Sequence, residues 1–392
     1  MDHYPVWAEV DLDAVAHNCA EVRKIIGPQR TILMVVKADG YGLGAIAVSH
    51  EAARNGVGYL GVATLDEAVE LREAGIDLPI LMFNPPLLGE AERTVRYEIE
   101  PSIVSREFAD EYSRFCLQAG VVGRYQVEVD TGMGRWGVFA RDAVPFLKEL
   151  AGLPGIELSG VYTHFPATRR ENLAFSEEQV RLFDRLLIAL RAEGIDPPMV
   201  HGANSACLYW GLEGSFWDAV RPGIFLYGYV DPARVPGGIS LRSALSFKSR
   251  VVETRRYEGG ENISYGLLYT VPAPTRIATV PVGYGHGYDH RLSNGGEVLV
   301  RGRRAPIVGE VTMDALMIDV GHLPAVEPGD EVVLIGRQGE EEISVAELAR
   351  RTERIPYEIT LAIGRRVPRV YTRSRRPLWA RTMLGSLTFG DS

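Results

Sequence analysis

Lys37 sits where a charge is costly. In "ILMVVKADGYGLG" (32–44) five apolar residues lead straight into its amine, and a glycine-rich loop follows. An ammonium at the lip of a buried strand must be paired or neutralised. Either Lys37 snorkels to water, the simpler reading of these residues alone, or the protein uses it as an amine. Further along, Asn84, Arg135, His164, Asn204 with Ser205, and Arg221 also stand at or just beyond short apolar stretches. The loops "HGANSAC" and "RPGIFLYG" add the Ser205 hydroxyl and the backbone amides around Gly223 and Ile224. Such groups suit an anion.

The elements needed to gather these residues are legible as a repeat. Up to about residue 240, short apolar runs ("TILMVV", "YLGVA", "PILMF", "PSIVS", "YQVEV", "LSGVYT", "PMVHG", "DAVRPG") alternate with helical stretches. "TLDEAVELREAG" opens with a Thr64/Glu67 capping box and stops at Gly75. "SEEQVRLFDRLLIALRAEG" is expected to open at Ser176/Gln179, with Val180, Phe183, Leu187 and Leu190 on one face. Strands alternating with helices imply a parallel sheet, and eight units imply an α/β fold of the (β/α)8 TIM-type barrel kind. A doubly wound open sheet is the alternative, but "KADGYGLG" lacks the glycine spacing of a dinucleotide turn. In a barrel the strand ends named above share one mouth. A lysine able to form an imine, a phosphate cradle and guarding arginines together suit pyridoxal phosphate. Plainer roles stay open residue by residue: Ser205 as a helix cap, Arg221 in a structural ion pair, His164 as a satisfied core histidine.

After residue 240, strand-like segments separated by Gly, Pro and Asn suggest a smaller, mostly β domain. The expected organisation is a barrel over 12–240, a β domain over 241–380 joined by a strand from 1–11, and a loose tail over 381–392. The chain has 392 residues and a formal net charge of −9, which argues against nucleic acid or an anionic membrane as partner. No eighteen-residue apolar run and no signal-peptide pattern are present, so a cytoplasmic protein is expected. Cys19, Cys116 and Cys207 are too scattered for a zinc set or a disulfide framework, and no metal is expected.

Seven motifs in order carry a resemblance: "VVKADGYG", "DTGMGRWG", "THFPAT", "RPGIFLYG", "SYGLLYT", "PVGYGHG" and "PIVGEVTMDALMID". From about Val6 to Val370 the chain resembles the alanine racemase family. The resemblance implies a pyridoxal phosphate enzyme that interconverts L- and D-alanine, supplying D-alanine for peptidoglycan. It also implies a head-to-tail homodimer in which each site is completed by the partner's β domain. By this resemblance Lys37 holds the cofactor and acts as base on one face of the substrate, and Tyr265 is the base on the other. Tyr41, Ser205, Gly223, Ile224 and Tyr357 match phosphate-binding positions. Arg221 matches the partner of the pyridine nitrogen, with His164 between it and Tyr265. Arg135 and Met313 match groups that meet the substrate carboxylate; Glu128, Tyr284 and Asp314 take supporting positions. A fold-related decarboxylase is disfavoured because Arg221 stands where those enzymes have a carboxylate. A barrel-only cofactor carrier is disfavoured by "ISYGLLYT" and "VTMDALMID".

The chain also departs from the family pattern. Glu128 replaces a lysine that becomes a carbamate in many members, so a direct Glu128–Arg135 pair is expected. Arg169, His290 and Glu310 change the charges at the entrance, with Arg169 and Glu310 as a conceivable charge-swapped pair. Thr312 and Ala315 replace commoner residues. These changes leave serine or a broader range of amino acids as the alternative substrate.

Overall fold

The computed structural model describes residues 4–167, 169–230 and 238–388. Residues 1–3 of the expected first strand, Thr168 of "THFPAT" and residues 389–392 of the expected tail lie outside it. Eight parallel strands run in chain order: Thr31–Val35, Tyr59–Val62, Ile80–Met82, Glu100–Pro101, Gly123–Asp130, Ile156–Tyr162, Val200–Asn204 and Ala219–Arg221. The last returns to the first, with Ala219 opposite Thr31 and Val220 opposite Ile32. The fourth is only two residues long, and Pro101 brings no N–H to its ladder. The ring is completed by a bridge between Ser102 and Gln126, with Ile103 N donating to Gln126 O at 2.8 Å. The result is a closed (β/α)8 barrel. Its strands are buried on both faces, which is why "ILMVV" reads as an unbroken apolar run.

Helix Leu65–Glu73 carries the expected capping box, with Thr64 and Glu67 each satisfying the other's backbone. The longest helix differs from expectation. It starts at Leu173, so Ser176 and Gln179 are interior and buried. Gln179 Nε2 instead donates to Thr131 Oγ1 and to His164 O, both at 3.1 Å. Tertiary bonding at the barrel mouth has taken a side chain that local pattern assigns to a cap.

The smaller domain is mostly β. Strand Val6–Asp11 lies in the middle of its main sheet, antiparallel to Leu245–Arg250 and parallel to Arg369–Arg373. The sheet continues beyond Arg369–Arg373 through Arg376–Thr382 to Gly385–Thr388. Residues 381–388 are thus paired strand and turn rather than a loose tail. Trp379 stacks on Tyr371 with centroids 4.1 Å apart, and Ala380 is buried, so this hairpin has an apolar face that its arginines obscure in the sequence. One buried apolar cluster includes residues of both the barrel and the β domain.

The loop after the first barrel strand touches the β domain at Gly44. Gly44 has φ +105°, and a Cβ there would stand 1.9 Å from the Tyr371 hydroxyl oxygen; Gly75, at φ +77°, faces open space. Gly75→Ala should cost about 1–2 kcal/mol, the left-handed penalty alone. Gly44→Ala should cost clearly more, because Tyr371 must also move. Urea denaturation of both variants checks this, and equal midpoints would contradict it.

Candidate active site

One turn of left-handed backbone presents Lys37. Ala38, Asp39, Gly40 and Tyr41 follow it with φ of 52°, 53°, 60° and 55°. Only glycine adopts this conformation freely; the others are strained by about 1–2 kcal/mol each. The turn is held on every side. Ala38 N donates to Glu67 Oε1 at 2.7 Å, so the capping-box glutamate also anchors this loop. Ala45 N donates to Asp39 Oδ1 at 3.0 Å, and Arg381 forms a two-pronged ion pair with Asp39. Arg369 Nε donates to Gly42 O at 3.1 Å. The strain turns both Lys37 and Tyr41 into a cavity of about 390 Å³ at the barrel mouth.

Glu128, Arg135, His164, Asn204, Ser205, Arg221, Gly223 and Tyr357 line the same cavity, and Ile224 is buried beside it. Ser205 Oγ accepts from Gly223 N at 3.0 Å and from Phe225 N at 3.3 Å. Asn204 caps the short helix that Ser205 begins, accepting from Ala206 N and Cys207 N. A Cβ at Gly223 would stand 2.4 Å from the Tyr41 hydroxyl oxygen, so only glycine leaves room between the two loops. Tyr357 meets the Tyr41 ring edge-on, and burial pushes its phenol up to about 12.

Arg221 is buried, and its partners are all acceptors. Nη1 donates to His201 Nδ1 at 2.6 Å; Nη2 donates to Thr163 O at 2.7 Å and to His164 Nδ1 at 3.1 Å. The guanidinium also lies 5.1 Å over the Tyr162 ring. An arginine only donates, so both histidines must keep Nδ1 unprotonated and carry their proton on Nε2. Burial and then the Arg221 charge hold both histidines well below the usual imidazole range. Lys37 is lowered as well, by burial first and then by Arg135. Its amine has no hydrogen bond or ion pair among the described residues. His201 lies behind Arg221 in the seventh strand and was not singled out in the sequence; its position inside "PMVHG" was the available signal.

The expected Glu128–Arg135 pair is not formed. Trp136 intervenes: its Nε1 donates to Glu128 Oε2 at 2.8 Å, and the Arg135 guanidinium lies 4.0 Å over its ring. Glu128 is raised by burial, which Arg221 opposes. Arg169 and Glu310 do not pair within the chain either. Glu310 meets His290 Nε2 at 2.6 Å, and Arg169 is 4.0 Å from Glu171.

Asn84 does not line the cavity, and four residues expected from the resemblance lie on the β domain. Tyr265, Tyr284, Met313 and Asp314 are absent from the cavity lining and form an exposed platform on the β domain. Tyr265 is 71% exposed, beside Leu267 at 70%. Ser264 Oγ donates to Glu310 O at 2.7 Å, while Tyr284 N and Gly285 N donate to Thr312 O and Met313 O, so the platform is internally bonded.

The cavity supplies a nucleophilic amine, an anion cradle and fixed cations. Only a neutral amine is acylated, so the lowered pKa moves the half-maximal acylation of Lys37 below the pH at which an exposed lysine reacts. Competitive acetylation of the unliganded enzyme, read by peptide mass spectrometry across pH, checks this. A Lys37 midpoint at or above that of surface lysines would contradict the desolvated, cation-flanked setting.

Comparison with known proteins agrees along the chain. Residues 10–231 match the family model for the alanine racemase N-terminal domain, and residues 244–371 match that for the alanine racemase C-terminal domain. An alanine racemase from Halothermothrix orenii is 42% identical over 371 residues, covering 94% of this chain and 97% of that protein. The crystal structure of a Bacillus anthracis alanine racemase with bound L-Ala-P superposes with a TM-score of 0.89 at 37% identity, over 97% of this chain and 98% of that one. A Bartonella henselae alanine racemase with covalently bound pyridoxal phosphate gives 0.82 at 26% identity, over 94% and 100%. The motifs, the barrel with its β domain and these matches lead to one conclusion: the chain belongs to the alanine racemase family.

Proposed function

We propose that the protein interconverts L- and D-alanine using pyridoxal phosphate held at Lys37, with two copies of the chain completing each site. The observation that carries this reading is a desolvated Lys37 amine, without hydrogen bond or ion pair among the described residues, in one cavity with the Ser205–Gly223 cradle and the Arg221 cation. These residues fit the cofactor. The Gly223 backbone lies so close to the Tyr41 hydroxyl that any Cβ there would clash with it, which leaves this side of the cradle free of side chain. When bound, pyridoxal phosphate makes the amino acid's α-proton acidic by drawing electrons from that carbon.

The chain's own groups do the rest. Tyr41, Ser205, Gly223, Ile224 and Tyr357 would hold the phosphate. Lys37, whose amine burial and Arg135 push toward the neutral form, removes or returns the proton on one face. Tyr265, brought by the second copy, does so on the other. His164 spends its Nδ1 lone pair on Arg221, so its Nε2–H is left to donate to an incoming phenol oxygen. Arg135, steadied on the Trp136 ring, draws in the substrate carboxylate, with the Met313 amide of the second copy beside it. With the cofactor bound, Arg221 would serve its ring nitrogen as a donor that does not readily give up its proton, which would favour simple proton return over transamination. Glu128 supports Arg135 through Trp136, without a carbamate. Tyr284 and Asp314 shape the entrance.

Support for the shared site comes from Tyr265, Tyr284 and Met313, which are exposed in the single chain beside exposed Leu267 and Leu268. Among the described residues no helix is long and apolar enough to cross a membrane, and a cytoplasmic site of action is part of the proposal.

Mixing tests the whole reading. Lys37→Ala and Tyr265→Phe should each lose L-alanine racemisation, followed as solvent deuterium entering the α-carbon. After dissociation and reassociation together, activity should return to about one quarter of wild type, since half of randomly paired dimers carry one intact site of two. No recovery on mixing, with both variants folded and dimeric, would overturn the shared site. Activity retained by Lys37→Ala would overturn the function.

A further inference from the structure

A polar chain runs through the interior of the barrel, where layers of branched apolar side chains are usual. It starts at Arg221 on the catalytic mouth and passes to His201, whose Nε2 lies 2.7 Å from Gln126 Oε1. Gln126 Nε2 then donates to Glu100 Oε2 at 3.1 Å. Gln126 and His201 are completely buried and Glu100 nearly so. Glu100 borders a second cavity, of about 480 Å³, at the opposite end of the barrel.

Glu100 is surrounded by donors. The Tyr59 hydroxyl donates to Oε1 at 2.8 Å, and Arg124 Nε lies 3.3 Å from the same oxygen. Arg124 Nη2 donates to the Tyr59 oxygen, which leaves that phenol's own proton for Glu100. The Ser159 hydroxyl lies 2.8 Å from Oε2 and 2.9 Å from the Tyr125 carbonyl. A carboxylate among donors fixes the amide orientation of Gln126: its NH₂ faces Glu100 and its oxygen faces His201. That oxygen requires a proton on His201 Nε2, which leaves Nδ1 to accept from Arg221. Both ends impose the same direction on every bond, so no member can flip without leaving a buried polar atom unsatisfied. Tyr162 stacks on the His201 ring at 4.8 Å and 7°, which fixes the plane in which His201 meets the guanidinium.

We propose that Glu100, at the far mouth of the barrel, is a positioning residue: through Gln126 and His201 it fixes the orientation of the Arg221 guanidinium. Its bearing on the reaction rests on the role of Arg221 proposed above; the relay itself is read separately. Arg221 is held by His201 on one side and by Thr163 and His164 on the others. Loosening the His201 side lets the guanidinium tilt toward the remaining acceptors.

Two substitutions test the relay in the full-length enzyme as purified. Glu100→Gln removes the carboxylate that orders Gln126. Gln126→Leu cuts the chain while leaving Glu100 with Tyr59, Ser159 and Arg124, and it decides the matter should Glu100→Gln fail to fold. With histidine nitrogens labelled, wild-type His201 should show an unprotonated Nδ1 and a protected Nε2–H resonance. In both variants that resonance should move upfield or vanish into exchange. The kcat for alanine should fall about tenfold with KM little changed, the rate equivalent of one weakened hydrogen bond to a charged group. An unchanged His201 resonance in either folded variant would overturn the relay. A lost resonance with unchanged kcat would support the relay and overturn the role given to Arg221.

Discussion

A single buried cation organises this site. Arg221 is 4% exposed, and a guanidinium so placed is tolerated only when its N–H groups find acceptors. The fold answers with two imidazole nitrogens, a backbone carbonyl and an aromatic face. Those choices propagate. Each histidine that accepts from Arg221 gives up its own basicity, and each presents its remaining proton on the far side. The same charge counts among those that lower Lys37, after burial and Arg135. An arginine cannot adapt by shedding its proton, so its neighbours have adapted to it.

Lys37 itself is presented by the opposite device, stored strain. Four successive residues in the left-handed region are unfavourable in isolation. They persist because Glu67, Asp39, Arg369 and Arg381 over-determine them. Two of these four come from the C-terminal strands of the β domain, which places the last strands of the fold in direct contact with the loop that carries the amine. The β domain therefore acts on the site from within its own chain, apart from anything a second copy contributes. Around Lys37 the non-glycine strain is confined to one turn. The strand before it and the helix after it are ordinary.

Much of this was legible in the sequence, and for identifiable reasons. Barrel strands such as "ILMVV" read clearly because parallel strands buried on both faces leave continuous apolar runs, whereas the fourth, read at "PSIVS", forms only over Glu100–Pro101. The Thr64/Glu67 cap read correctly because it is local. What failed to read was long-range. Gln179 resembled a cap because its tertiary partners, Thr131 and the His164 carbonyl, are invisible to a local pattern. Arg381 resembled an exposed tail residue because Asp39 is 342 positions away. Trp136 passed for an ordinary residue of "GRWG", although its indole separates Glu128 from Arg135. Lys37, Arg135, His164, Ser205 and Arg221 were found together because barrel topology alone brings strand ends to one mouth. Tyr265 was found through resemblance, and within one chain it lies on an exposed platform away from that mouth.

The central claim is that a donor which keeps its proton at Arg221 limits the chemistry to proton return. The direct measurement is the ratio of pyruvate formed from alanine to alanine racemised, in wild type and in Arg221→Glu. The account predicts that this ratio rises in the variant, because a carboxylate can share a proton with the ring nitrogen where a guanidinium does not. A folded, cofactor-loaded Arg221→Glu enzyme with the wild-type ratio would contradict it.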